Sequence, residues 1–174
     1  SLKNVNKSGA VFDLKKLDWI NGVYIRQKPD DELVNLVEPY LKNQNLKIDN
    51  AKLKQVIKLE KERLKKLQDI LDSNFFFTDN ISYDKDASEK YFKNSEVIKI
   101  IKEFAKELQE LGNWTASGLE KFSRDFIEKK KLKLKDLVHP VRLALTGKLV
   151  SPGLFEVMEV LGKEICLKRL NFIN

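Results

Sequence analysis

NAKLKQVIKLEKERLKKLQDILD, residues 50–72, carries the most extended helical periodicity in a chain of 174 residues. Leu53, Val56, Ile57, Leu64, Leu67 and Leu71 recur at three- and four-residue steps, and lysine and glutamate fill most of the positions between them. That spacing gathers the apolar side chains on one face of a 3.6-residue helix and leaves the opposite face charged. Asp49 or Asn50 is the natural cap. The stretch therefore predicts one long amphipathic helix, stopped by Ser73-Asn74 and followed by a short buried crossing at Phe75-Phe76-Phe77.

The same pattern extends in both directions. Upstream, FDLKKLDWINGVYIR from Phe12 sets Leu14, Leu17, Trp19, Ile20, Tyr24 and Ile25 along a helical face behind an Asp13 cap, with Trp19 expected in the core. Pro29-Asp30 starts a second helix that Pro39 should bend or shorten. Downstream, helices are expected from Ala87, after Asn94-Ser95 and after Thr115, followed by the apolar segment Leu137 to Thr146. Ser151-Pro152 reads as another start, serine as the cap and proline at the first helical position. A Trp114 core position completes the pattern.

Composition agrees with this reading. Charged residues make up 34% of the chain, while four prolines and seven glycines are too few for a sandwich, barrel or disordered linker. The fold class expected is all-α, two consecutive helical subdomains at 1–83 and 84–174, with no catalytic Rossmann domain. The formal charge of +7 favours a polyanionic partner, because neutralising phosphates releases counterions. Charge alone does not identify that partner. The single Cys166 forms no internal disulfide, and neither a signal peptide nor a bilayer-spanning run is evident, so a cytoplasmic protein without membrane association is expected.

Catalysis needs a nucleophile, base and stabilising groups in one cluster, and one His and one Cys with no glycine-rich phosphate loop do not supply it. No catalytic residue and no metal site are assigned. His139, beside Pro140, reads as a satisfied structural histidine.

Two separated blocks carry a resemblance. His139-Pro140-Val141-Arg142-Leu143-Ala144-Leu145-Thr146-Gly147, followed by Ser151-Pro152-Gly153-Leu154-Phe155-Glu156, closely resembles the C-terminal signature of bacterial glutamyl-tRNA synthetases. Ser8-Gly9-Ala10-Val11-Phe12-Asp13-Leu14-Lys15-Lys16-Leu17-Asp18-Trp19, continuing into Asn21, Tyr24, Ile25 and Arg26, is similar to an earlier block of the same family. Glu62-Arg63-Leu64-Lys65-Lys66-Leu67, Phe77-Thr78-Asp79 and Asn113-Trp114-Thr115 are similar more weakly. The family's two ATP-binding signatures do not occur in this sequence.

The resemblance implies the anticodon-binding region of a glutamate–tRNA ligase, acting as a monomer on glutamate tRNA, with glutamine tRNA a second candidate. It implies that ATP and magnesium belong to a catalytic domain outside this chain, which holds no cofactor of its own. Arg142, Ser151, Pro152 and Leu154 match the segment that meets the anticodon. Arg63 matches an arginine associated with the third anticodon base, where it favours cytosine; as read from the helix alone it is more often a solvated face residue. Leu154 stays a site residue by resemblance, whereas Phe155 is expected in the core. Arg142, a charge inside an apolar run, should face solvent or RNA rather than be buried. Tyr24 and Arg26 are stem-contact candidates, and the lysines from Lys129 to Lys135 either steer phosphates or are merely solvated. The rival reading is a free-standing helical RNA- or protein-binding module built on the same fold.

Overall fold

The computed structural model describes residues 13–173, which form helices and loops with no strand among them. The chain is all-α. The Ser8 to Phe12 part of the first resembling block lies outside the described residues. Nine α-helices follow one another: α1 Leu14–Gln27, α2 Asp30–Lys42, α3 Asn50–Glu60, α4 Lys85–Phe92, α5 Ser95–Leu108, α6 Ala116–Lys130, α7 Leu134–Thr146, α8 Leu154–Leu161 and α9 Lys163–Phe172. A 3-10 segment, Leu67–Phe76, separates α3 from α4.

Four helix starts rest on the expected side chains, those of Asp13, Asp49, Asn94 and Thr115, and a fifth on Asp84, ahead of the expected start at Ala87. Carboxylates of Asp13, Asp49 and Asp84 accept from the first-turn amides of α1, α3 and α4. Asn94 and Thr115 do the same for α5 and α6. Each satisfies backbone N–H groups that a helix end leaves without a partner. Helix α2 continues through Pro39 to Lys42.

The long helix over 50–72 does not form. Helix α3 ends at Glu60, whose carbonyl accepts from the amides of Arg63 at 2.7 Å and Leu64 at 3.1 Å. The backbone then turns extended at Lys66, and the Asp69 carboxylate accepts from the amides of Lys65 at 2.9 Å and Lys66 at 2.8 Å. Local closure by Asp69 thus replaces the helical hydrogen bonds that periodicity alone implies. The break lets Leu64 and Ile70 both reach the core from a chain that has changed direction.

Helix α1 also departs from expectation. Trp19 is 65% exposed and Leu14, Leu17 and Tyr24 are exposed with it, whereas Gly22 and Ile25 are buried. The reason is the narrow strip by which α1 meets its neighbours. A Cβ on Gly22 would lie 3.3 Å from the Leu64 carbonyl oxygen, and the Asn21 amide donates to the Lys65 carbonyl. Trp114 lies partly buried against the core, its indole N–H donating 3.0 Å to the Met158 carbonyl oxygen.

One apolar core runs from Ile25 to Ile173. Helices α2 and α3 pack with the 3-10 segment, while α5, α7 and α9 pack together and α6 meets α8. The two groups join where α3 touches α8 and the 3-10 segment touches α7. Gly147 fixes this seam. Its φ of +76° suits glycine, its carbonyl accepts from Asp84 N at 2.8 Å, and a Cβ there would collide with the Ser82 carbonyl. Gly147→Ala is expected to destabilise the fold by about 1–3 kcal/mol, measured as a lower urea midpoint at unchanged slope.

Candidate nucleic-acid interface

The seam brings together side chains that the sequence supplies from distant positions. Helix α7 carries Arg142 one turn before its end, and the loop after Gly147 returns Ser151 and Pro152 beside it. Arg142 Nη1 donates to the Ser151 hydroxyl and, at 2.5 Å, to the Pro152 carbonyl. The guanidinium is half-buried, and burial pushes its pKa below the ordinary arginine value, as does the nearby charge of Arg63; Glu156 opposes this. The loop therefore holds Arg142 by its guanidinium tip, which is half-buried rather than fully turned to solvent as expected.

Arg63 stands opposite, on the turn that ends α3. It lines a cleft of about 290 Å³ with Ser151, Lys148 and Val150 from the α7–α8 loop and Asp69, Asp72 and Ser73 from the 3-10 segment. A second hollow on its other side holds Trp19, Arg26 and Lys65. Lys148 closes the cleft floor, its ammonium donating to the Asp72 carbonyl at 2.9 Å and carboxylate at 3.0 Å. Val150 is 71% exposed at the rim.

Several expected site residues occupy other roles. Ser151 is not a helix cap: α8 begins at Leu154 behind Gly153, and the Ser151 hydroxyl is engaged by Arg142 and donates 2.9 Å to the Pro152 carbonyl. Pro152 is buried, and its contribution to the surface is that carbonyl. Leu154, expected beside a base, is 4% exposed and belongs to the core, while Phe155, expected in the core, is the partly exposed member of the pair. The order inverts because α8 starts two residues later than Ser151-Pro152 predicts, which rotates the apolar face by slightly more than half a turn. Tyr24 is exposed on α1, and Arg26 lies near Glu62, 3.9 Å away.

Elsewhere the charged surface is partly neutralised within the chain. Lys129 and Lys130 pair with Glu107 and Glu103 of α5. His139 stacks on Tyr91 with ring centres 6.5 Å apart, and its Nδ1 is buried without a hydrogen-bond partner, so it is not the satisfied histidine expected. Burial pushes the Cys166 thiol up to about 12, which makes it a packing residue rather than a nucleophile.

One feature of the cleft escaped the sequence reading. Glu60 is 6% exposed, its carboxylate accepting from the Ser73 hydroxyl and lying 3.4 Å from Arg63 Nε. The signal was present: position 60 falls on the apolar stripe between Ile57 and Leu64, where a carboxylate demands a partner.

Comparison with known proteins agrees with this architecture. A family model described as an anticodon binding domain matches residues 32–173. Glutamate–tRNA ligase 1 of Syntrophomonas wolfei is 38% identical over 98% of this chain and 35% of its own length. Glutamate–tRNA ligase 2 of Thermoanaerobacter pseudethanolicus is 35% identical over 98% of this chain and 36% of its own length. Among solved structures, a glutamate tRNA ligase from Elizabethkingia meningosepticum in complex with its amino acid superposes with a TM-score of 0.86 at 27% identity, covering 100% of this chain and 35% of that one. The chain spans about a third of the length of the curated relatives it matches. With α3 to α9, the seam and both arginines inside the matched region, the chain belongs to the anticodon-binding-domain family.

Proposed function

We propose that this chain receives the anticodon arm of glutamate tRNA as the RNA-reading part of a glutamate–tRNA ligase. One observation carries the reading: Arg63 and Ser151, from the two sides of the seam, line one cleft, and Arg142 donates to the Ser151 hydroxyl at its border. The charge of Arg142, disfavoured by burial and by the nearby charge of Arg63, is relieved by an anion or by acceptor-rich base edges. An anticodon loop offers both, because its bases are unstacked and its phosphates are close by.

In this reading Arg142 and Ser151 address one anticodon base, Arg63 addresses the third, and exposed Val150 with partly exposed Phe155 provides apolar contact. Leu154 and Pro152 support that surface from behind. Tyr24 and Arg26 lie toward the stem. The subdomains 1–83 and 84–174 act together because the cleft draws on both. ATP and magnesium serve the activation of glutamate in a part of the ligase outside this chain. The protein is monomeric and cytoplasmic, with glutamine tRNA a second substrate if the third-base contact tolerates it. No helix among the described residues is long and apolar enough to cross a membrane.

The test is the affinity of the chain for a glutamate-tRNA transcript and for the same transcript with altered anticodon bases, each across a range of salt. The native anticodon should bind more tightly, and Arg142→Ala should lose about tenfold or more of that preference. Equal binding of both transcripts at every salt concentration would instead mark a surface that senses backbone charge alone.

A further inference from the structure

Arginine is a long side chain whose stem loses about 2 kcal/mol of rotamer freedom when fixed. An arginine that reads a base gains most when the protein fixes that stem beforehand. Arg63 donates no hydrogen bond through its guanidinium among the described residues, and its side chain is 46% exposed. What surrounds its root is nonetheless built. Its amide donates to the Glu60 carbonyl, and its Nε lies 3.4 Å from Glu60 Oε2.

Glu60 is itself held. Its other carboxylate oxygen accepts from the Ser73 hydroxyl, and both residues are buried, Ser73 on the 3-10 segment and Glu60 at the end of α3. A lone carboxylate on an apolar stripe is an expensive way to close a helix, so its retention asks for a purpose outside packing. We infer that Glu60, pinned by Ser73, is a positioning residue that holds the Arg63 stem by Nε and leaves the outer Nη1/Nη2 edge directed at the third anticodon base. The inference rests on the proposed role of Arg63 in that contact.

The chemistry is specific. Cytosine offers two adjacent acceptors, O2 and N3, on its pairing edge, which match two parallel guanidinium N–H groups. Uracil carries an N–H at N3 and meets one of those donors with another. A fork free to swing discriminates poorly, since it finds other acceptors; a fork held at Nε does not.

Electrostatics separate this role from a structural one. Burial raises the pKa of Glu60 above the ordinary glutamate value, outweighing the Ser73 hydrogen bond and Arg63; Asp72 adds to the rise and Lys148 opposes it. A carboxyl whose folded pKa is raised stabilises the fold fully below its unfolded value and loses that contribution as pH rises through the folded value. Ionised, Glu60 is therefore a burden on folding. Glu60→Gln keeps the shape and a Ser73 partner, removes the charge, and should leave stability unchanged or higher while loosening Arg63.

The experiment compares the chain with Glu60→Gln, Ser73→Ala, Arg63→Ala and the Glu60→Gln/Arg63→Ala double variant. Each is measured for urea stability at neutral pH and for affinity toward a glutamate-tRNA transcript carrying cytosine or uracil at the third anticodon position. Glu60→Gln should lose about three- to tenfold of the cytosine preference without losing stability, and nothing further once Arg63 is alanine. Ser73→Ala should move the preference in the same direction by less. An unchanged preference in Glu60→Gln, with Arg63→Ala losing it, overturns the positioning role and leaves the base-reading role of Arg63 intact. If Arg63→Ala itself keeps the full preference, the base-reading role fails and the positioning role fails with it.

Discussion

Arg169→Met is expected to destabilise the protein by about 3 kcal/mol or more, the largest loss among single changes away from the apolar core. Arg169 is 6% exposed on α9, and its guanidinium donates to three backbone carbonyls: Leu145 at 2.6 Å, Phe75 at 2.7 Å and Thr78 at 2.8 Å. No carboxylate shares its burial, and burial pushes its pKa below the ordinary value, so its charge is balanced by carbonyl dipoles. Methionine retains most of the apolar stem but leaves three carbonyls with no donor. Two lie on the Phe75–Thr78 crossing and one on the last turn of α7, so the same change frees the floor of the cleft from the helix that carries Arg142. Equilibrium unfolding in urea measures the loss. A cost under about 1 kcal/mol would mean that water replaces the guanidinium at all three carbonyls.

The second large effect falls on binding. Arg63→Ala together with Arg142→Ala should weaken binding of the native glutamate-tRNA transcript on the order of 100-fold, remove its preference over anticodon variants and lower the salt slope by roughly two. The single losses should not sum to the double loss. Arg63 disfavours the charge of Arg142 in the free chain, so removing Arg63 relieves Arg142, and the cycle reports a coupling between them. Fluorescence anisotropy on labelled transcripts at several salt concentrations separates the two components. Loss of affinity with the anticodon preference intact would assign both residues to the phosphate backbone.

Helix starts were legible in the sequence because a cap is a local event: Asp13, Asp49, Asn94 and Thr115 each need one or two neighbouring amides and nothing distant. The end of α3 was not, because Leu64, Leu67 and Leu71 continue the helical spacing across a break made by one carboxylate, Asp69, and by the need to bury Ile70 and Phe76 from another direction. The site was legible by resemblance at Arg63, Arg142 and Ser151, all of which line or border one cleft. It was misread where it depended on helix phase. Starting α8 at Leu154 instead of Pro152 exchanges the expected fates of Leu154 and Phe155, and no spacing rule detects a shift of two residues at a glycine. Trp19 shows the converse limit, since apolar periodicity states that a face exists and not that the described chain covers it.

The central claim, that the seam between the two helical groups reads anticodon bases, is tested most directly by chemical probing of a glutamate-tRNA transcript with base-edge reagents, alone and bound to the chain. The account predicts that the anticodon bases lose reactivity on binding, and that one of the first two recovers it with Arg142→Ala while the third recovers it with Arg63→Ala. Anticodon bases that stay as reactive as in free RNA, with protection confined to the backbone or to another arm of the tRNA, would contradict it.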